Sequence, residues 1–114
     1  MSSPPDHSII LKENDHLGKR KIEFLLIYAD WCGYCHTFMP SFLNAAHQLK
    51  NANFYKLEGT GKNERIEKLS QGNWPGGFPY IASFKNGKFV EEYKGERDLS
   101  SYMKYCMDFI KKHL

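Results

Sequence analysis

The chain has 114 residues, of which 41% are hydrophobic and 25% charged, and its formal net charge at pH 7 is +3. This length and composition fit one globular domain with its own core, and the small charge excess argues against nucleic acid or an anionic membrane as a partner. The longest apolar run, at 24–29, is far shorter than the roughly 20 residues of a membrane helix.

The chain begins with a Ser- and Pro-rich stretch, which predicts a flexible tail over residues 1–7 and one domain over residues 8–114. The first residues show neither the basic nor the apolar region of a secretory signal, and the last residues lack the usual retention signal. These features predict a cytoplasmic location, and we expect the chain to be a monomer.

The next part of the chain alternates between strand and helix patterns. The apolar run 22–29 predicts a strand buried on both faces, and a further strand at 8–11 would precede it. From Gly33 to about residue 50, apolar residues recur every three or four positions, which predicts an amphipathic helix with Pro40 inside it. A second strand is predicted at 53–59, a short helix at 62–71 and a Gly- and Pro-rich loop at 72–79.

The last third of the chain predicts a hairpin and a helix. Two apolar runs within 80–95 flank Asn86-Gly87, the dipeptide of a type I′ turn. The final helix begins after Asp98, a good capping residue. Its predicted buried stripe consists of Leu99, Tyr102, Cys106 and Ile110. The whole order is β-α-β-α-β-β-α, apart from the further strand.

The stretch YADWCGYCHTFMP, at 28–40, carries the clearest chemical signal. Cys32 and Cys35 form a Cys-x-x-Cys pair, which can be a redox dithiol, half of a zinc site or, because His36 follows, a haem attachment point. A tetrahedral zinc site needs two further ligands, and the sequence has no second pair of this kind, so we expect no metal. Cys106 falls on the apolar stripe of the last helix, which predicts a buried core thiol.

The order of elements, together with YADWCGYC and Pro40, GFP at 77–79 and FKNGKFVEEYKGER at 84–97, resembles thioredoxin and the catalytic domains of protein disulfide isomerase. The resemblance implies an α/β thioredoxin fold, with a mixed sheet of four to five strands flanked by helices. It also implies a thiol–disulfide oxidoreductase in which Cys32 attacks and Cys35 resolves the mixed disulfide. Pro79 matches the proline found cis beside the dithiol.

The same resemblance implies the partners and the surrounding residues. The dithiol itself is the redox group, so no further cofactor is expected; the partners are disulfide-containing proteins, with a thioredoxin reductase or glutathione as electron source. Client binding is expected at Trp31, Gly77, Phe78 and Pro79. Supporting roles are expected for Trp31, Gly33, Tyr34, His36 and Arg97.

The chain departs from the family pattern at several places. Gly-Tyr stands between the cysteines, where thioredoxin has Gly-Pro and the isomerase Gly-His, and Arg97 matches an arginine of the isomerase that thioredoxin lacks. Leu26 stands where thioredoxin has a buried Asp and the isomerase a Glu, so Lys56, which matches the partner of that carboxylate, is expected to lack a counter-charge. Glu58 is a possible substitute. The loop before Pro79 is longer, with Trp74-Pro75 added. The missing carboxylate keeps a second hypothesis open, a binding module in which the dithiol has little catalytic use.

Overall fold

The computed structural model describes residues 6–114. Most of the predicted tail, residues 1–5, lies outside the described residues. Its last two residues make contacts: the Asp6 carboxylate pairs with the Lys56 ammonium, and the ring centroids of His7 and His47 are 4.8 Å apart. The expectation that Lys56 lacks a counter-charge is therefore wrong, because Asp6 supplies one from 50 positions earlier in the chain.

Five strands and three helices make up the described part of the chain. The strands are β1 (Ile9–Ile10), β2 (Ile22–Tyr28), β3 (Asn53–Glu58), β4 (Tyr80–Lys85) and β5 (Lys88–Glu92). The helices are α1 (Gly33–Gln48), α2 (Asn63–Leu69) and α3 (Leu99–His113). Their order is the predicted one, with β1 as the further strand, and α1 runs without interruption through Pro40.

The strands form one mixed sheet in the order β1-β3-β2-β4-β5. The central strand, β2, is parallel to β3 and antiparallel to β4. Parallel neighbours need a long crossover, and α1 provides it between β2 and β3. The hairpin of β4 and β5 turns at Asn86 and Gly87, whose φ angles of 53° and 79° are those that a type I′ turn requires.

Both faces of β2 are buried because helices cover both sides of the sheet. Phe24 and Leu26 pack in a cluster with residues of α1 and α3, whereas Leu25 and Ile27 pack on the other side with residues of α2. Glu23 faces the α2 side, away from Leu26, as strand alternation predicts. Its buried carboxylate accepts hydrogen bonds from the Tyr55 hydroxyl at 2.8 Å and the Gly18 amide at 2.6 Å.

The last helix begins as the sequence predicts, since the Asp98 carboxylate accepts a hydrogen bond from the Ser101 amide at 3.1 Å. Tyr102, Cys106 and Ile110 are buried. Leu99 was predicted on the same stripe, but this is wrong: it is 49% exposed. Leu99 is the first residue of α3, and a helical Cβ points toward the start of its helix. The Leu99 side chain is therefore directed past the start of α3 and not into the core. Within residues 6–114, no helix is both long and apolar enough to cross a membrane.

Candidate active site

Cys32 and Cys35 lie where the central strand gives way to the first helix. Cys32 caps α1, and its Sγ accepts a hydrogen bond from the Cys35 amide at 3.2 Å. The Cys32 amide donates to the Ala29 carbonyl at 3.0 Å, which fixes the loop between β2 and α1. Both thiols are free, so the pair is a dithiol. The helix start therefore presents an amide donor directly to the Cys32 sulfur.

The two thiols differ in their burial. Cys32 is 7% exposed and Cys35 only 1%. Burial, followed by the hydrogen bond with Cys32, raises the pKa of the Cys35 thiol to about 12, against a lowering by the Ala29 backbone and by the positive charge of Arg97. Cys35 is thus the protonated, shielded member of the pair, and Cys32 is the member closer to solvent.

Phe78 and Pro79 lie beside the pair because the sheet register places them there. Ile27 of β2 is opposite Tyr80 of β4, so the residues before Tyr80 run alongside the end of β2 where the cysteines follow. Phe78 packs against the cluster of Ala29, Cys32 and Cys35, Pro79 is buried, and the peptide bond between Phe78 and Pro79 is cis. The loop preceding β4 therefore forms one wall of the dithiol site.

Trp31 stands on the rim of the site, 69% exposed, and its ring lies edge-on to Phe78 with the centroids 5.8 Å apart. Its indole N–H donates to the Thr60 hydroxyl at 3.1 Å. Thr60 in turn donates to the Glu58 carboxylate at 2.7 Å, and the Asp30 amide donates to the same carboxylate at 2.8 Å. This network connects the end of β3 to the loop before Cys32 and holds the indole in place.

Tyr34 and Arg97 lie next to each other near the dithiol. Tyr34, the second residue between the cysteines, is 73% exposed, and the Arg97 guanidinium lies 5.8 Å from its ring centroid. The Arg97 carbonyl accepts a hydrogen bond from the Ser41 hydroxyl of α1 at 2.8 Å. Arg97 is therefore an exposed residue on a loop tied to α1, close enough for its charge to act on Cys35.

The remaining predicted residues lie at the surface of the site. His36 is exposed, and its Nε2 donates to the Asp30 carbonyl at 2.6 Å. Gly33 begins α1 and has open space where a Cβ would project. Gly77 is exposed, and its carbonyl accepts a hydrogen bond from the indole of Trp74.

Three residues of the site were not predicted in the roles they take. Thr60 and Glu58 form the hydrogen-bond network that holds the Trp31 indole. Gly59 allows a close approach, since a Cβ there would lie 2.7 Å from Ile27 and 3.1 Å from the Phe78 ring. A glycine at the end of a strand, followed by a hydroxyl residue, is too common a pattern to reveal these contacts from sequence.

Metal binding at the dithiol was one of the alternatives considered from the sequence. Within the described residues, no three His, Cys, Asp or Glu side chains come together in a group that could hold a metal ion.

Leu26 is fully buried among the apolar residues on the α1 side of β2. Its backbone is in register with Lys56 of β3, which carries its charge toward Asp6.

Comparison with known proteins agrees with this geometry. The thioredoxin family model matches residues 11–108. Protein disulfide-isomerase from Medicago sativa is 35% identical over 97 residues, which cover 81% of this chain and 19% of that protein. Protein disulfide-isomerase from Hordeum vulgare is 32% identical over 95 residues, covering 81% of this chain and 18% of that protein. The chain thus spans about a fifth of the length of these relatives.

Solved structures show the same fold at lower identity. A mutant thioredoxin from Halobacterium salinarum superposes with a TM-score of 0.71 at 23% identity, covering 99% of this chain and 96% of that one. Human ERp44 gives a TM-score of 0.76 at 19% identity, over 94% of this chain and 30% of that one. The predicted thioredoxin fold is confirmed, and the extent of the family match shows that the chain belongs to the thioredoxin family.

Proposed function

We propose that this chain is a thiol–disulfide oxidoreductase that acts on disulfides of other proteins through Cys32 and Cys35. The observation that carries the proposal is the geometry of the pair. Cys32 caps a helix with its sulfur on an amide donor, and Cys35 lies one turn later against the same sulfur. Relatives that are protein disulfide-isomerases, matched over 81% of the chain, support the same chemistry.

The reaction has two exchange steps. The Cys32 thiolate attacks one sulfur of a client disulfide; a bond forms between Cys32 and that sulfur, and the other client sulfur leaves as a thiolate. Cys35 then loses its proton and attacks Cys32, which forms the Cys32–Cys35 disulfide and releases the first client sulfur as a thiolate. Two electrons have passed from the dithiol to the client disulfide, and the reverse sequence forms a disulfide in a client.

The difference in burial suits this division of labour. An attacking thiol has to reach a client, and Cys32 is the more exposed of the two. A resolving thiol has to remain unreactive toward other disulfides in solution until the mixed disulfide forms. Cys35 meets this condition because its raised pKa keeps it protonated at neutral pH. We therefore assign attack to Cys32 and resolution to Cys35.

The direction of electron flow depends on the redox partner. As a reductant, the chain would be regenerated by a thioredoxin reductase or by glutathione, and these partners, like the cytoplasmic location and the monomeric state, stay predictions. Thioredoxin-like and isomerase-like potentials differ by ~90 mV, about 4 kcal/mol for a two-electron couple. Equilibration of the Cys32–Cys35 pair with glutathione buffers, read by thiol alkylation, measures which of the two ranges applies.

The function is tested by reduction of insulin disulfides with dithiothreitol as electron source. The wild-type chain should accelerate the reaction, and Cys32→Ser should abolish the acceleration. Reduced Cys35→Ser, mixed with insulin after dithiothreitol has been removed, should accumulate a mixed disulfide. Cys106→Ser is the matched control, because Cys106 is a buried thiol of the α1–α3 cluster, whereas Cys32 and Cys35 belong to a separate cluster. Acceleration that survives Cys32→Ser would contradict the proposal.

The buried Leu26 favours a second candidate, a thioredoxin-fold binding module. An apolar side chain at this position offers no proton acceptor on the α1 side of β2. The insulin assay separates the two candidates: a binding module would associate with clients without accelerating reduction, and neither cysteine substitution would change its affinity.

A further inference from the structure

We propose that Trp74, in the loop before Pro79, is a specificity residue that extends the client-binding surface and selects extended segments with an apolar side chain near the reacting cysteine. The inference rests on the proposed function. Trp74 belongs to the added loop, and it is connected to the dithiol site by its contact with Phe78.

The proposal starts from a row of three aromatic rings, which we call the aromatic row and define as Trp31, Phe78 and Trp74. Phe78 is its middle member, with its ring centroid 5.8 Å from that of Trp31 and also 5.8 Å from that of Trp74. Phe78 packs against the cluster that contains Cys32 and Cys35. Phe78 and Trp74 are half-buried, since each packs in part against the core cluster on the α2 side. The row therefore begins at the dithiol and continues past Phe78 to the added loop, with part of each ring open to a client.

The polar atoms of both tryptophans are already paired within the protein. The Trp31 indole N–H donates to the Thr60 hydroxyl at 3.1 Å, and the Trp74 indole N–H donates to the Gly77 carbonyl at 2.9 Å. A client therefore meets aromatic faces with no free indole donor. Burial of an apolar client side chain against such a surface is favourable, whereas a polar side chain finds no free indole N–H to bind there.

The loop that carries Trp74 is held by its own hydrogen bonds. The buried Ser70 at the end of α2 accepts from the Trp74 amide at 3.2 Å through its hydroxyl, and from the Asn73 side chain at 3.0 Å through its carbonyl. Gly76 takes a φ of +102°, which an L side chain rarely adopts, so the chain can turn back toward Phe78 there. Trp74 is thus ordered before a client arrives, which lowers the entropy cost of binding.

The spacing of the row indicates what kind of segment fits. In an extended chain, side chains on one face recur every two residues, roughly 6.7 Å apart, close to the 5.8 Å between neighbouring rings. A client cysteine bonded to Cys32 would therefore place a residue two to four positions away over Phe78 and Trp74. An apolar residue at that place, such as leucine, would be covered by the two rings.

The inference is tested with two eight-residue peptides, each bearing glutathione on its single cysteine as a mixed disulfide. One peptide has leucine at positions two and four from the cysteine, and the other has serine there. The readout is the ratio of their kcat/KM values for reduction with dithiothreitol as electron source, after the rate with dithiothreitol alone is subtracted. We expect the wild type to prefer the leucine peptide by roughly tenfold, the effect of partly burying one or two such side chains.

Variants assign the preference to the loop. Trp74→Ala should lower the ratio to roughly threefold or less, whereas Trp74→Phe, which keeps an aromatic face, should retain most of it. Met107→Ala is the matched control: Met107 is an exposed apolar residue, but it lies on α3 near the end of α1 that is remote from Cys32. Its ratio should equal that of the wild type.

A second measurement is independent of removing Trp74. The sequence has two tryptophans, so Trp31→Phe leaves Trp74 as the single indole. In this background with Cys35→Ser, the trapped leucine peptide should shift the Trp74 emission to shorter wavelength, and the trapped serine peptide should not.

An unchanged ratio in Trp74→Ala, or an equal emission with both trapped peptides, would overturn the inference and leave the proposed function standing. Wild-type protein that reduces neither peptide, although dithiothreitol reduces both, would overturn the proposed function itself.

Discussion

The release of the client should depend steeply on pH, because Cys35 must lose a proton that burial holds on it. The pKa of Cys35 is raised to about 12 from 9.0, first by burial and then by its hydrogen bond with Cys32. At pH 7 this leaves roughly one thiolate in 10⁵, against about one in 10² for a thiol at its ordinary value. Burial, the larger of the two causes, does not depend on Cys32 and remains when Cys32 is bonded to a client.

The sign of the effect follows from the direction of the shift. At pH values below the pKa, the thiolate fraction of Cys35 rises about tenfold for each unit increase in pH. A plot of the logarithm of the release rate against pH should therefore have a slope near +1 between pH 6 and 9, without levelling off. The assay mixes reduced protein with an excess of a peptide disulfide, quenches with acid and counts the mixed disulfide by mass spectrometry. Its decay gives the release rate, and Cys35→Ser, in which the intermediate persists, is the control.

Arg97 provides a second test of the same reasoning. Its positive charge lowers the pKa of Cys35, so Arg97→Ala should slow release by about two- to fivefold at each pH, as expected for an exposed charge, while Arg97→Lys should stay near the wild type. A release rate that is independent of pH, or that levels off below pH 8, would refute this account. Either result would mean that another group accepts the Cys35 proton, so that the Cys35 thiolate fraction does not limit the release rate.

Three further predictions concern Leu26, Gly59 and the dithiol. Leu26→Asp should accelerate release at pH 7 in the protein that remains folded, although it should lower stability by about 2–5 kcal/mol; an unchanged release rate would contradict a role for a carboxylate there. Gly59→Ala should cost about 1–3 kcal/mol in urea unfolding because its Cβ would meet Ile27 and Phe78, whereas Gly33→Ala, which has open space, should cost nothing. Reduced protein should lose stability above about pH 9, since the unfolded chain ionises Cys35 before the folded chain does; Cys35→Ser should lose less, and an equal loss would count against the raised pKa.

Local patterns were sufficient for most of the fold. The alternation of buried strand and amphipathic helix places Cys32 at a strand-to-helix junction, and Asn86-Gly87 identifies the hairpin from its turn chemistry alone. The helical period failed at Leu99, because periodicity shows which face a residue lies on but not whether a partner element reaches that far along the helix. The fold was thus predictable wherever neighbours in sequence decide the structure.

The contacts that complete the site join distant parts of the chain, and the sequence did not reveal them. Asp6 meets Lys56 across 50 positions, and Trp31 meets Thr60 across 29. Trp74 could be recognised as an aromatic residue in an added loop, but its place in the row depends on the turn at Gly76. Each of these contacts depends on tertiary geometry for which a short residue pattern carries no signal.

The ion pair between Asp6 and Lys56 sets a limit on how far the chain can be shortened from its beginning. The Lys56 side chain is 12% exposed, and a largely covered ammonium that loses its carboxylate has to be rehydrated or carried at a cost. A version that starts at Ser8 would keep every strand and helix yet leave this charge uncompensated in the strand next to β2. Trimming for crystallisation, or placing a cleavable tag, should therefore leave Asp6 in the product.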